Sequence, residues 1–139
     1  MNNSKFVVAT IAGGIAYFIL GFLVYAVALE GFYAAHAGTA ENVAKTDGMQ
    51  YWPLILGELG HAALLAYIFL KWAGIKTFGA GFSSGVTIGF FVSLGFNMIA
   101  YDTSNVMDLT GHIVDVFVWA IMTGIVGGVV GWVAGKGNG

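Results

Sequence analysis

The sequence predicts an all-α membrane fold, a four-transmembrane-helix bundle with both termini cytoplasmic. Three observations predict it. Of the 139 residues 58% are hydrophobic and only 9% are charged, where a soluble domain carries about 25% charged residues. Four continuous apolar runs each approach or exceed the ~20 residues that cross a hydrocarbon core. Four of the five lysines fall on one side of the hairpin topology those runs imply. A strand reading fails, because the runs are too long and do not alternate with a polar lumen face.

The whole chain, residues 1–139, reads as a single transmembrane domain, and its elements follow in order. The first helix is expected over about residues 5–29. MNNSK, an apolar run and Ala26-Val27-Ala28 imitate a signal peptide, yet Phe6 to Leu29 is 24 residues and a signal h-region is about 7–15. The segment therefore reads as a retained helix. Residues 30–50 form the one long loop, holding His36, Glu41, Lys45 and Asp47, with AENVAKTDG as the piece expected to form a short surface helix. The second helix, residues 51–71, is YWPLILGELGHAALLAYIFLK. A short turn, WAGIKT, leads to the third helix over about residues 78–100. A polar loop, residues 101–108, leads to the fourth over about residues 109–134, and the closing GKGNG is expected to fray.

Lys5, Lys71, Lys76 and Lys136 share one side and only Lys45 falls on the other. The excess of cations marks the cytoplasmic side, which predicts a multi-pass protein of the bacterial inner (cytoplasmic) membrane. Tyr51, Trp52 and Tyr101 fall at the outer interface and Trp72 and Trp132 at the inner one, as an aromatic belt does. The chain has no cysteine, which excludes disulfides and thiolate chemistry. It has no arginine and a net charge of -2, which argues against a nucleic-acid partner. No Walker loop and no triad spacing is present, so no enzyme activity and no cofactor is expected.

Small residues recur every four positions. The third helix carries Gly81-xxx-Gly85-xxx-Gly89, and the fourth carries Gly124-xxx-Gly128, Gly127-xxx-Gly131 and Gly131-xxx-Gly135. The first carries Ala9-xxx-Gly13 with Gly14 beside it. Such stripes let backbones approach where lipid offers no hydrophobic incentive to associate. They serve either packing within one bundle or, most directly on the fourth helix, contact with another subunit. The expected partners are thus the lipid bilayer and a homo-oligomer or larger membrane complex.

Ionisable residues at membrane depth are costly and mark candidate sites. At 1.5 Å per residue, Glu58 lies roughly 10 Å and His61 roughly 15 Å below Tyr51, and Asp115 lies roughly 9 Å below Leu109. Glu58 and His61 on the second helix, and His112 and Asp115 on the fourth, are each three residues apart and so share a face. Together with Asn97 they form the expected intramembrane cluster, with Glu58 level with Asp115. Three readings of it compete. In the first, the cluster fixes helix register in a non-enzymatic accessory or assembly subunit that packs through its glycine stripes. In the second, it is a polar track of a small transporter or proton-coupled conduit. In the third, Glu58, His61, His112 and Asp115 hold a metal ion. Glu-x-x-His is half of the di-iron bundle pattern, whose remaining acids are missing here.

The turn WAGIKT, the glycines of the third helix, Ala100-Tyr101-Asp102-Thr103-Ser104-Asn105 and Gly127-Gly128-Val129-Val130-Gly131 carry a resemblance. The chain resembles an uncharacterised small four-helix inner-membrane protein family of Bacteroidota-type bacteria. That resemblance implies the topology and brings no activity, cofactor or catalytic residue.

Overall fold

The computed structural model describes residues 2–45 and 47–137; the last two residues of the GKGNG tail lie outside them. Five helices follow in order: α1 (Asn3–Ala28), α2 (Glu30–Ala35), α3 (Trp52–Ala73), α4 (Phe78–Thr103) and α5 (Leu109–Ala134). All but α2 are long and apolar enough to cross a membrane. The fold is all-helical, and pairing of extended backbone among the described residues is confined to one isolated bridge, Ala37 with Met107.

The helix starts follow local chemistry. The Asn2 side chain accepts from the Ser4 and Lys5 amides at 2.9 and 3.2 Å. Thr77 Oγ1 accepts from the Ala80 amide and Asp108 Oδ1 from the Gly111 amide. Each satisfies an otherwise orphaned first-turn N–H. Pro53 sits in the first turn of α3, where its missing N–H costs nothing. Gly74 ends α3 in the left-handed region at φ 62°. The last turns of α1 (Phe22–Ala28) and α3 (Ile68–Ala73) are wound as π-helix.

Two boundaries differ from expectation. The expected short helix in AENVAKTDG is not formed by its described residues; the extra helix is EGFYAA, Glu30–Ala35, immediately after α1. It holds two aromatic residues that can anchor it, whereas AENVAKTDG has none. α4 continues to Thr103, because Thr103 and Ser104 donate to the Ile99 and Ala100 carbonyls and prolong the last turn.

The helices run antiparallel. Lys5 Nζ donates to the Ala134 carbonyl at 3.0 Å, so the first and last helices end together. α5 is the central element: 56% of its apolar window is buried, against 22% for each of the other three long helices. It packs on α4 most extensively, then on α1, and α1 packs on α3. α3 and α4, by contrast, scarcely touch. The core lies between α1, α3 and α5, with Ala9, Tyr17, Ala62, Leu65, Ala66, Phe69, Met122, Val126 and Val130 buried in it. Large apolar side chains cover the outside, among them Ile15, Leu56, Phe91, Phe96, Ile99 and Ile121.

The α4–α5 seam is made by glycine. A Cβ on Gly81 would collide with the Gly127 carbonyl, and one on Gly127 would collide with the Gly81 carbonyl. Gly85 meets the Thr123 carbonyl, Gly89 the Thr123 side chain, Gly131 the Thr77 carbonyl, and Gly124 and Gly128 the side chains of Val86 and Phe78. These glycines therefore face α4 or α5 within one chain. The fourth helix's stripe is occupied and is not a free surface for another subunit.

Candidate functional site

The polar residues at the loop end of the bundle converge on Asp115. Asp115 and His112 lie one turn apart on α5 and are 7% and 1% exposed. Opposite them, Ser93 and Asn97 lie one turn apart on the face of α4 that meets α5, both buried. Ser93 Oγ donates to the Val116 carbonyl at 3.0 Å. Asn97 Nδ2 donates to the Ser93 carbonyl and to Asp115 Oδ2, each at 3.0 Å. A carbonyl oxygen only accepts, so the amide nitrogen must face Ser93, and Asn97 Oδ1 is left to accept from His112 Nδ1 at 2.9 Å. This fixes the tautomer: Nδ1 carries the proton. His112 Nε2 is buried with no hydrogen-bond partner among the described residues, and the Tyr101 ring lies edge-on with its centroid 5.9 Å from that of His112.

Asp115 Oδ1 takes two further donors, the hydroxyls of Tyr25 at 3.0 Å and of Tyr33 at 2.5 Å. Three elements, α1, α2 and α4, thus deliver donors to one carboxylate on α5. Tyr33 lies outside the long helices. Burial pushes its hydroxyl above the ordinary tyrosine range, and its bond to the carboxylate adds to that, so it stays a donor at physiological pH.

The chain beyond α2 is strapped across this end. The Gly38 amide donates to the Val106 carbonyl, Ala40 to Asn105 and Asp108 to His36, each at 3.0 Å. His36 Nδ1 pairs with Asp108 Oδ2 at 2.9 Å, and Phe32 packs on the His36 ring. The Gly111 amide, and then His36, hold the exposed Asp108 carboxyl below the usual carboxylate range. A lowered folded value means the pair contributes above the ordinary pKa of about 3.9 and is lost as pH falls through the lowered one. In His36→Ala the Asp108 midpoint should move up toward the ordinary value while staying below it, because the Gly111 amide remains. An NMR titration of the carboxyl carbon measures it.

His61 stands apart from this network. It lines a lateral cleft of about 250 Å³ where α3 and α4 fail to meet. Tyr17 and Trp119 flank it, with ring centroids 5.7 and 5.2 Å from the imidazole. Tyr17 donates to Thr123 Oγ1 at 3.1 Å. Ser93 and Asn97 form the far wall, and exposed Leu64, Val92 and Phe96 form the mouth. No Asp, Glu or Lys lines the cleft.

Glu58 lies elsewhere again. It faces an apolar groove beside α1 with Ile11, Gly14, Ile15, Phe18, Ile55 and Leu59, and a Cβ on Gly21 would be 3.8 Å from its Oε1. The expected cluster of Glu58, His61, Asn97, His112 and Asp115 is therefore divided. Asn97, His112 and Asp115 are joined, while Glu58 and His61 occupy separate flanks of α3. The reason is geometric: positions three apart differ by about 60° around a helix, and α1 packs on α3 between open flanks. Among the described residues no three His, Asp or Glu side chains come together as a metal site, so the set Glu58, His61, His112 and Asp115 is not assembled.

Sequence reasoning missed Tyr25 and Tyr33. Tyr17, Tyr25 and Tyr33 recur every eight residues, and that spacing was the available signal. Compared with known proteins, the chain matches no family model, no curated protein and no solved structure.

Proposed function

We propose that this chain is a non-enzymatic multi-pass protein of the bacterial cytoplasmic membrane, with both termini cytoplasmic, that binds a membrane amphiphile sideways in the α3–α4 cleft. The observation that carries the reading is the cleft itself. Two neighbouring long helices leave an apolar gap on the lipid-facing side, with polar groups placed within it. Ligand sites are mostly apolar concavities with a few convergent polar groups. The lysines at the end that holds the termini support the orientation. An accessory role in a larger complex remains part of this proposal, with contact through surfaces other than the glycine seam.

Filling the cleft tests it. Leu64→Trp and Val92→Trp enlarge exposed side chains at the mouth, so the fold should survive. In nanodiscs a photoreactive lipid chain should label the cleft walls of the wild type, and labelling there should fall in the double variant. Labelling spread evenly over all lipid-facing residues would contradict the proposal.

A second reading, a proton-coupled conduit, is favoured by one observation: His112 Nε2 is a buried nitrogen with no partner, at the end of the chain Asp115–Asn97–His112. Acid and histidine chains of this kind carry protons in pumps. It requires a proton flux in proteoliposomes that Asp115→Asn abolishes and Glu58→Gln leaves intact; no flux in wild type would exclude it.

A further inference from the structure

Resting on the reading of the cleft as a binding site, we infer that its occupant is an uncharged amphiphile whose head carries a hydrogen-bond acceptor, a carbonyl or hydroxyl oxygen. Two polar side chains at the heart of the cleft have no hydrogen-bond partner among the described residues. One is His61, which is exposed; its imidazole always offers one donor and, when neutral, one acceptor. The other is the Trp119 indole N–H, which only donates. Their rings are edge-on with centroids 5.2 Å apart, so a single small head reaches both. The other polar groups nearby are engaged: the Tyr17 hydroxyl donates to Thr123, Ser93 to the Val116 carbonyl, and Asn97 to Ser93 and Asp115.

The head must be uncharged for two reasons. No cation or acid lines the cleft, so a phosphate or an ammonium would find no counter-charge. His61 is also nine residues into α3, at roughly 14 Å from its start, near the middle of a ~30 Å hydrocarbon core. A phospholipid head stays in the interface, because desolvating its charge at that depth is too costly. A hydrophobe whose only polar group is a carbonyl or hydroxyl dissolves at that depth. It can accept the indole N–H and the imidazole N–H, and a hydroxyl can donate to the free imidazole nitrogen. The cleft, at about 250 Å³, lies below the usual ~300–1,000 Å³ of small-molecule sites. It therefore holds the head and the first part of one chain, and the rest of the tail lies in lipid through the open side.

The test uses the full chain in phosphatidylcholine nanodiscs with two diazirine probes, a long-chain alcohol and a phosphatidylglycerol, and maps cross-links by peptide mass spectrometry. The alcohol probe should label Leu64, Val92 and Phe96 and be displaced by a long-chain ketone, and the phosphatidylglycerol should not concentrate there. His61→Leu with Trp119→Phe should cut the alcohol labelling about tenfold, the worth of one or two hydrogen bonds. Glu58→Gln, on the other flank, should not change it. Equal labelling of the cleft by the anionic probe would overturn the uncharged head and leave the binding site standing. Cleft cross-links to a second copy of the chain, or none by either probe, would overturn both.

Discussion

Gly81→Ala should unfold this protein in detergent at a much lower temperature, whereas Gly95→Ala on the same helix should not. The added methyl at Gly81 meets the Gly127 carbonyl and the Gly128 backbone. Neither can rotate away, so α4 must move bodily off α5. Overpacking costs typically 1–3 kcal/mol and occasionally more, and a backbone-to-backbone clash belongs at about the upper end of that range or beyond. Gly95 has open space where its Cβ would go, so there alanine's better helix propensity leaves stability unchanged or raises it by up to about 1 kcal/mol. Thermal unfolding of both variants separates the seam from a general effect of changing glycine. If Gly81→Ala and Gly95→Ala melt together, the α4–α5 contact is not as close as described.

Asp115→Leu should have the second large effect. It removes the acceptor for Tyr25, Tyr33 and Asn97 together. Each buried donor left unpaired costs about 1–3 kcal/mol, and Tyr33, half-buried, recovers part of its share from water. A total loss of about 3–5 kcal/mol is expected. Asp115→Asn keeps the shape and one oxygen, so it should cost less, and Tyr33→Phe less again. The strap offers a local readout: in Asp115→Leu, residues 29–40 should become sensitive to protease before the long helices unfold. Combining Tyr33→Phe with Asp115→Leu should add almost nothing, because the partner is already gone.

The long helices were legible because apolar length is a strong signal, and the depth argument correctly set His112 and Asp115 on one face. Asn97 was legible as their neighbour, being polar near the end of the third apolar run. What the sequence does not encode locally is rotational phase. Glu58 and His61 are three apart and share a face in the broad sense, yet the α1 contact divides that face into two flanks. Nothing in the run itself says that α3 and α4, adjacent in the chain, would leave a gap. The roles of Tyr25 and Tyr33 were hidden for a related reason, since an aromatic residue near a helix end is ordinarily an interface anchor. The glycine stripes announced close approach but not the partner, and α4 turned out to be that partner.

The π-wound turn at Phe22–Ala28 bears on how this chain tolerates insertion and deletion. A π turn bonds i to i+5 and so houses one residue more than an α turn. Removing a single residue there would let the segment relax to α-helix and swing everything after it by about 100°. Tyr25 and Tyr33 would then leave Asp115, and α2 would no longer reach its seat. Lengthening by one residue further along, between residues 41 and 50, should be absorbed, because no such register is counted there. The spacing between Tyr17 and Tyr33 is thus a fixed length in the molecule, and a one-residue deletion within it should be as damaging as losing the carboxylate itself.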